Sequence, residues 1–325
     1  MFVSVAMATY NGERYLWQQL ESLAMQARLP DELVVTDDQS TDATVALVER
    51  FSRQAPFPVH LEVNESRLGP TQNFGRALSL CRGDLILLCD QDDVWLPEKI
   101  RAHVELASTG GEAACWVLDA LMADGELRPT GASKMQRIAD AGLPVTAMVM
   151  GCCTAFRRDL LDLLLPIPAT ADAHDNWLVG VADLLGLVSR HGQAFQYYRR
   201  HGENVSNVPV NRIDDRGLGE RLLAPMAGLL ARAGNRTGIV REGSFLDLAE
   251  ERLAERPTQV RGLVGDRADA AREAVARRAG AIRARIKARK LPRIQRVQRV
   301  IGLLRAGSYR DAGGLAGAAK DILLP

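Results

Sequence analysis

Three aspartates, Asp90, Asp92 and Asp93, follow directly on the apolar run Leu85-Ile86-Leu87-Leu88-Cys89. Carboxylates crowded at the end of a buried strand repel one another unless something neutralises them. A divalent cation with a preference for hard oxygen ligands does so, and Mg²⁺ or Mn²⁺ at this place would also bridge to phosphate oxygens. A bare Asp-x-Asp is equally compatible with a solvated acidic turn opening the helix near Pro97, but the strand before it and Val94-Trp95 after it favour the metal. A second acidic pair, Asp37-Asp38, follows the run Glu32 to Thr36. It reads either as a loop capping the next helix or as a carboxylate that accepts hydrogen bonds from a pyrimidine ring N–H or a ribose hydroxyl.

The elements that must position these groups are legible from hydrophobic pattern. Phe2 to Ala8, Glu32 to Thr36, Val59 to Val63 and Leu85 to Cys89 read as strands. Between them lie helical stripes: Leu16, Leu20, Leu23 and Ala24, then Val45, Val48 and Phe51, then Phe74, Ala77 and Leu78 after Gly69-Pro70. Alternating strand and helix predicts an α/β fold, a mainly parallel sheet flanked by helices. Ligands bind such sheets outside the carboxyl ends of the strands. Thr9-Tyr10-Asn11, Asp37-Asp38 and Asp90-Gln91-Asp92-Asp93 all fall at those ends.

The runs Ala6-Met7-Ala8-Thr9-Tyr10-Asn11-Gly12, Val34 to Asp42 (VVTDDQSTD) and Leu88 to Trp95 (LCDQDDVW), in this order, resemble family 2 glycosyltransferases over roughly residues 2 to 206. The resemblance implies a Rossmann-like GT-A fold and transfer of a sugar from a nucleoside-diphosphate donor with inversion, as in bacterial rhamnosyltransferase-like members. It assigns Thr9, Tyr10, Asn11 and Asp38 to the nucleotide, Asp90 to its ribose and Asp92 to the metal. His174-Asp175-Asn176-Trp177-Leu178 resembles the family's base-bearing segment, which places the catalytic base on Asp175; Asp183, outside that motif, is expected to tolerate Asn. Tyr198 to Ser206 resembles the segment that closes over the diphosphate, with His201 a further metal or phosphate ligand, and Gly151 to Phe156 resembles the small-residue segment between metal site and base. The chemistry suits these residue types. A carboxylate takes the proton of a weakly nucleophilic hydroxyl as the C–O bond forms, and a bound cation stabilises the charge growing on the leaving diphosphate.

Bulk properties set the outer bounds. The 325 residues, 47% hydrophobic and with a net charge of +1, allow a large core and argue against a nucleic-acid binder. Cys81, Cys89, Cys115, Cys152 and Cys153 form no disulfide or zinc spacing, which suits buried thiols in a reducing compartment. No signal peptide or membrane span is predicted, so the expectation is a cytoplasmic protein able to lie on the inner face of a membrane. Residues 1–216 are expected to form the catalytic domain and 217–325 a helical, Arg-rich extension. From Arg272 to Arg310 there are 13 Lys and Arg against one acidic residue, Glu273. These are solvated helix faces, or they contact anionic lipid with Ile294, Val297, Ile301 and Leu304 as an insertion face, or those apolar residues pack on the catalytic domain. The expected partners are a UDP- or dTDP-sugar and a glycan or lipid-linked acceptor. A nucleotidyltransferase would show a Gly-rich phosphate loop, which this sequence lacks, and a non-enzymatic membrane adaptor is suggested by the basic tail alone.

Overall fold

The computed structural model describes residues 1–202, 236–310 and 312–323. They fall into two compact units, one within residues 1–217 and one within 218–325. The expected boundary at 216/217 lies outside the described residues, as does the stretch Glu203 to Ser206 that completes the segment after His201.

In the first unit the chain alternates β1 (Val3–Thr9), α1 (Glu13–Ala24), β2 (Glu32–Asp37), α2 (Thr44–Ser52), β3 (Val59–Val63), α3 (Pro70–Leu80) and β4 (Leu85–Cys89). Strands β3, β2, β1 and β4 are adjacent and parallel. Both faces of β1 and β4 are covered, so their sequences are apolar without alternation, as expected of parallel strands between helix layers. Helix α1 turns Leu16, Leu20 and Leu23 into the core formed by Val3, Val5, Met7, Leu85 and Leu87.

Beyond β4 the sheet becomes mixed. There follow β5 (Val94–Trp95), α4 (Lys99–Ser108), β6 (Cys115–Ala123), β7 (Pro129–Ser133), α5 (Lys134–Asp140), β8 (Thr154–Arg157), α6 (Arg158–Leu164), α7 (His174–Leu184) and β9 (Val188–Arg199). Strand β8 is antiparallel to both β4 and β6, β9 runs parallel to β6, and β5 is antiparallel to β9. The strand order among the described residues is β3-β2-β1-β4-β8-β6-β9-β5, with β7 on β6. This folding back of β9 and β5 returns Tyr198 to His201 to the carboxyl end of β4, where the acidic cluster begins. The five cysteines are free and buried; burial pushes the Cys81 thiol up to about 12, so it is a packing group rather than a nucleophile.

The second unit is helical: α8 (Arg236–Glu255), α9 (Pro257–Val264), α10 (Ala268–Arg289), α11 (Arg293–Arg305) and α12 (Gly314–Leu323). No described helix is long and apolar enough to cross a membrane. A Cβ at Gly243 of α8 would lie 2.8 Å from Ile286 Cδ1 of α10, so these two helices pack closely there and a larger residue would have to displace the end of that isoleucine. A small core of Ala288, Val300, Leu303, Tyr309 and Ala318 joins α10, α11 and α12. Beside it Asp321, fully buried, accepts from Arg285 Nε at 2.6 Å, Arg289 Nε at 2.7 Å and the Tyr309 hydroxyl at 2.7 Å.

Burial alone would raise the Asp321 pKa, but the hydrogen bonds from Arg285 and Tyr309 and the adjacent positive charge outweigh it and hold the carboxyl below its ordinary value. The stabilisation this contributes is complete above the ordinary carboxylate range near ~4 and is lost as pH falls through the depressed folded value. Asp321→Ala strands two buried guanidinium groups and is expected to destabilise the second unit by about 3–5 kcal/mol. Urea titration followed by limited proteolysis of that unit checks this; a loss below about 1 kcal/mol would mean that the two arginines find other acceptors.

Candidate active site

The carboxyl end of β1 is fixed by the loop after β2. Thr9 Oγ1 donates to Asp37 Oδ2 at 2.7 Å, and Asp37 also accepts from the Ser40 amide and hydroxyl at 2.7 and 2.6 Å. Asn11, at φ +44, donates its amide to Ser40 Oγ and accepts the Thr41 amide on Oδ1, both at 2.9 Å. Asp37 is thus a scaffold for the turn, and Thr9 is buried beneath it.

Asp38 holds a different loop. Its Oδ1 accepts from Asn64 Nδ2 at 3.0 Å and the Leu68 amide at 2.7 Å, and its Oδ2 accepts the Gly69 amide at 2.8 Å. Three of the roughly four acceptor positions of this buried carboxylate are thus taken. The loop that Asp38 holds carries Arg67, whose guanidinium lies over the Tyr10 ring 3.8 Å from its centroid. Tyr10 is fixed on its main-chain side as well: Gln91 accepts the Tyr10 amide and donates to the Tyr10 carbonyl, each at 3.0 Å. A Cβ on Gly12 would lie 2.3 Å from Gln91 Oε1, so this clasp explains the glycine after Tyr10-Asn11. Gln91 is marked in the sequence only by its place inside the acidic motif, and Arg67, in the loop before α3, by no signal at all.

The three aspartates after β4 have separate environments. Asp93 is buried and accepts the Arg199 amide at 3.0 Å and Gln196 Nε2 at 2.8 Å. The same Gln196 donates to Cys152 Sγ at 3.2 Å and accepts from Lys99 Nζ, a buried ammonium that also donates to the Cys152 carbonyl at 2.5 Å. Asp92 turns the other way, its Oδ2 2.8 Å from His201 Nε2 in a partly buried pair. Asp90 is half-buried between them. Its pKa rises to about 7, first through burial and then through the charges of Asp92 and Asp175. Asp90, Asp93 and Cys152 hold potential ligand atoms within 4.8 Å of one another. Asp92 and His201, the expected metal ligands, form a carboxylate–imidazole pair that is not part of this group. Asp93 and Cys152 are already engaged by Gln196.

Asp175 enters from α7. It lies in the first turn, accepts the Asn176 amide at 2.8 Å, and is close enough to Asp90 to raise its proton affinity. Trp177 anchors the helix by donating Nε1 to the Leu164 carbonyl at 3.0 Å, and His174 stacks on Phe74 with centroids 4.1 Å apart. A Cβ at Gly151 would lie 2.7 Å from His174 Nε2, which accounts for the small-residue segment there. One expectation is overturned: Asp183 is no bystander, since its carboxylate pairs with the buried Arg190, 2.8 Å from Nη1 and 2.5 Å from Nη2. Asn at that position would leave a buried guanidinium short of its counter-charge.

Arg199 ties the whole edge together. It is buried and donates Nε to the Asp92 carbonyl at 2.7 Å, Nη1 to the Gly125 carbonyl at 2.6 Å and Nη2 to Gln18 Oε1 at 2.5 Å. Its guanidinium lies 4.4 Å from the centroid of the Tyr15 ring, and that ring in turn packs against His201 at 4.7 Å. A cleft of about 650 Å³ between α3 and α6, lined by Gln72, Arg76, Arg158 and Ile167 among others, contains none of these residues. Titratable groups converge instead at the carboxylate edge, which makes that edge the candidate site.

Residues 4–165 match the sequence profile of glycosyl transferase family 2. The chain is 24% identical over 214 residues to an uncharacterized glycosyltransferase of Nostoc sp., covering 63% of this chain and 66% of that protein. It is 33% identical over 103 residues to dTDP-rhamnosyl transferase RfbG of Shigella flexneri, covering 30% of this chain and 36% of the relative. Mycobacterial proteins of uncharacterized role match at 31% identity over 105 residues, so that the chain spans only 30% of their length. Among solved structures, S. aureus TarS in complex with UDP-GlcNAc superposes with a TM-score of 0.53 at 20% identity, covering 94% of this chain and 92% of that one. This likeness establishes the GT-A fold.

Arg199→Lys removes the fork that joins the Asp92 main chain to Gly125 and Gln18, and an ammonium cannot span the same acceptors. The variant is expected to lose about 2–3 kcal/mol of stability in chemical denaturation. Unchanged stability would show that the acidic loop keeps its place without this residue.

Proposed function

Because this chain belongs to glycosyl transferase family 2 through residues 4–165, we propose that it transfers a sugar from a nucleoside-diphosphate donor to a hydroxyl of a glycan or lipid-linked acceptor, with inversion at the anomeric carbon. The observation that carries this reading is the meeting of Asp90, the Asp92–His201 pair and Asp175 at the carboxyl edge of β4. RfbG is named a dTDP-rhamnosyl transferase and TarS was solved with UDP-GlcNAc, which supports a dTDP- or UDP-sugar as the donor class. Cell-surface polysaccharide synthesis on the cytoplasmic side of the membrane is the setting in which such donors and acceptors meet.

Donor binding falls to the β1 and β2 ends. The Tyr10 ring and the Arg67 guanidinium present flat faces to a nucleobase, and the remaining acceptor position of Asp38 suits a ring N–H. Thr9 and Asn11 set the turn that lines this subsite, and Asp90 faces the ribose. Asp92 and His201 would hold Mg²⁺ or Mn²⁺, which when bound offsets the charge of the diphosphate. Asp175 is the base: the acceptor oxygen forms its bond to the anomeric carbon, its proton passes to the Asp175 carboxylate, and the anomeric C–O bond breaks with its electron pair leaving on the nucleoside diphosphate. A single displacement from the opposite face inverts the centre and needs no protein nucleophile.

Two variants test separate parts of this. Asp92→Asn is expected to abolish the divalent-dependent part of donor binding, read as thermal shift by UDP- and dTDP-sugars with and without Mn²⁺, while the protein stays folded; normal Mn²⁺-dependent binding would remove Asp92 from the metal site. Asp175→Asn is expected to bind donor nearly normally but to transfer at least roughly 10²-fold more slowly, since a general base acts mainly in the transition state. Asp140→Asn, on the exposed end of α5, is the comparison in place of Asp183. Full transfer activity in Asp175→Asn, or equal loss in both, would sink the assignment of the base.

A further inference from the structure

The basic stretch of the second unit divides in two. Arg272, Arg277 and Arg278 pair with Asp269, Glu273 and Glu242, and Arg283 pairs with both Asp247 and Glu250. Arg285 and Arg289 close on the buried Asp321. The charge of α10 is thus largely consumed inside the unit. Farther along the balance changes: residues 274–310 contain no acidic side chain. Lys287, Lys290, Arg293, Arg299, Arg305 and Arg310 are all exposed, and none forms an ion pair among the described residues.

The helix in the middle of this cationic run also exposes apolar side chains. On α11, Ile294 is 77% and Ile301 41% exposed, and on α12 Leu315 is 79% exposed. Ile294 and Ile301 are two helical turns apart and share a face, while Val300 and Leu303 turn into the small core. Val297 and Leu304 are half-buried, Leu304 against that same core, so the outward apolar stripe is narrower than the sequence pattern alone indicates.

We propose that α11 is a membrane-docking helix that lies on an anionic lipid surface, with Ile294 and Ile301 entering the headgroup–acyl boundary and Arg293, Arg299 and Arg305 on the lipid phosphates. Exposed isoleucines flanked by cations and free of carboxylates are the composition of an interfacial helix. A second copy of the chain is the poorer occupant, because a symmetric contact through α11 would bring the same cations face to face with no acidic group on the helix to meet them. Nucleic acid would use the arginines but has no use for two outward isoleucines. The inference goes beyond sugar transfer and does not depend on it.

The test is co-sedimentation of the full chain with vesicles of mixed phosphatidylcholine and phosphatidylglycerol against vesicles of phosphatidylcholine alone. The protein is expected to bind only the mixed vesicles, and less so at high salt. Ile294→Ser with Ile301→Ser, and separately Arg299→Gln with Arg305→Gln, should each reduce partitioning by about tenfold or more. Arg272→Gln with Arg277→Gln removes the same number of charges from the paired part of α10 and should stay within about twofold of the parent. Any of four results overturns the proposal: no sedimentation with the mixed vesicles, equal binding to neutral vesicles, equal loss in all three variants, or unchanged binding by the isoleucine variant. A dimer in sedimentation equilibrium that the isoleucine variant abolishes would assign the face to a second copy, and duplex DNA binding that depends on Arg299 and Arg305 but not on the isoleucines would assign it to nucleic acid. Donor binding measured without vesicles should be the same in all of these proteins, so failure here is separate from failure of the glycosyl-transfer reading.

Discussion

Negative charges brought to one sheet edge repel one another, and the way the fold contains that repulsion shapes everything around Asp90, Asp92, Asp93 and Asp175. Asp93 is withdrawn into the core and held by an amide hydrogen and by Gln196. Asp92 is turned onto an imidazole. Asp90 is left between its neighbours, and its raised proton affinity records the cost of that position. A fold that only needed a stable turn would not gather these groups. The arrangement is stable because Arg199 pins the main chain of the acidic loop to two other elements, and because Lys99 supplies a buried cation on the far side of Gln196.

The second half of the sheet is mixed, yet it serves the same edge. Strand β8 is antiparallel to both β4 and β6, so β6, and β9 laid parallel on it, run in the direction of β4, and the carboxyl end of β9 brings the Tyr-Arg-Arg-His run to the acidic loop. Strand β5, only two residues long, then pairs with β9 and closes the loop from its other side. Topology here serves the meeting of His201 with Asp92, groups 109 positions apart in sequence.

How much of this could be read beforehand follows from physical range. Strands β1 and β4 are apolar on both faces and announce themselves, while β3 (Val59–Val63) shows as an alternation of Val, Leu and Val with His60 and Glu62; Val59–Val63 and Leu85–Cys89 coincide with the segments read as strands. Strand β9 does not, because Ser189, His191, Gly192 and Gln196 break any alternation and much of it is half-buried. The acidic clusters were visible as composition, but their division of labour was not. Asp38 looks like a ligand group in sequence and proves to be mostly occupied by the amides of Leu68 and Gly69, partners some 30 residues away. The basic tail shows the same limit. Its charge is plain in the sequence, yet which arginines are consumed depends on Glu242, Asp247 and Asp321, each more than 30 residues from its partner.

The packing beneath Asp175 depends on a side chain that is absent. Gly151 lies under His174 so closely that a single methyl there would meet the imidazole at 2.7 Å. The His174 ring also stacks on Phe74 of α3, which resists its movement. Displacing it would move the first turn of α7, and with it Asp175, relative to Asp90. The next residue, Cys152, contributes its carbonyl to Lys99 and its sulfur to Gln196, so the same short segment also supports Asp93. One run of small residues thus touches both groups: Gly151 packs under the residue before Asp175, and Cys152 supports the partners of Asp93. If Asp175 is the proton acceptor proposed above, its placement rests on such uncharged residues, because an acceptor misplaced by an ångström loses much of its advantage.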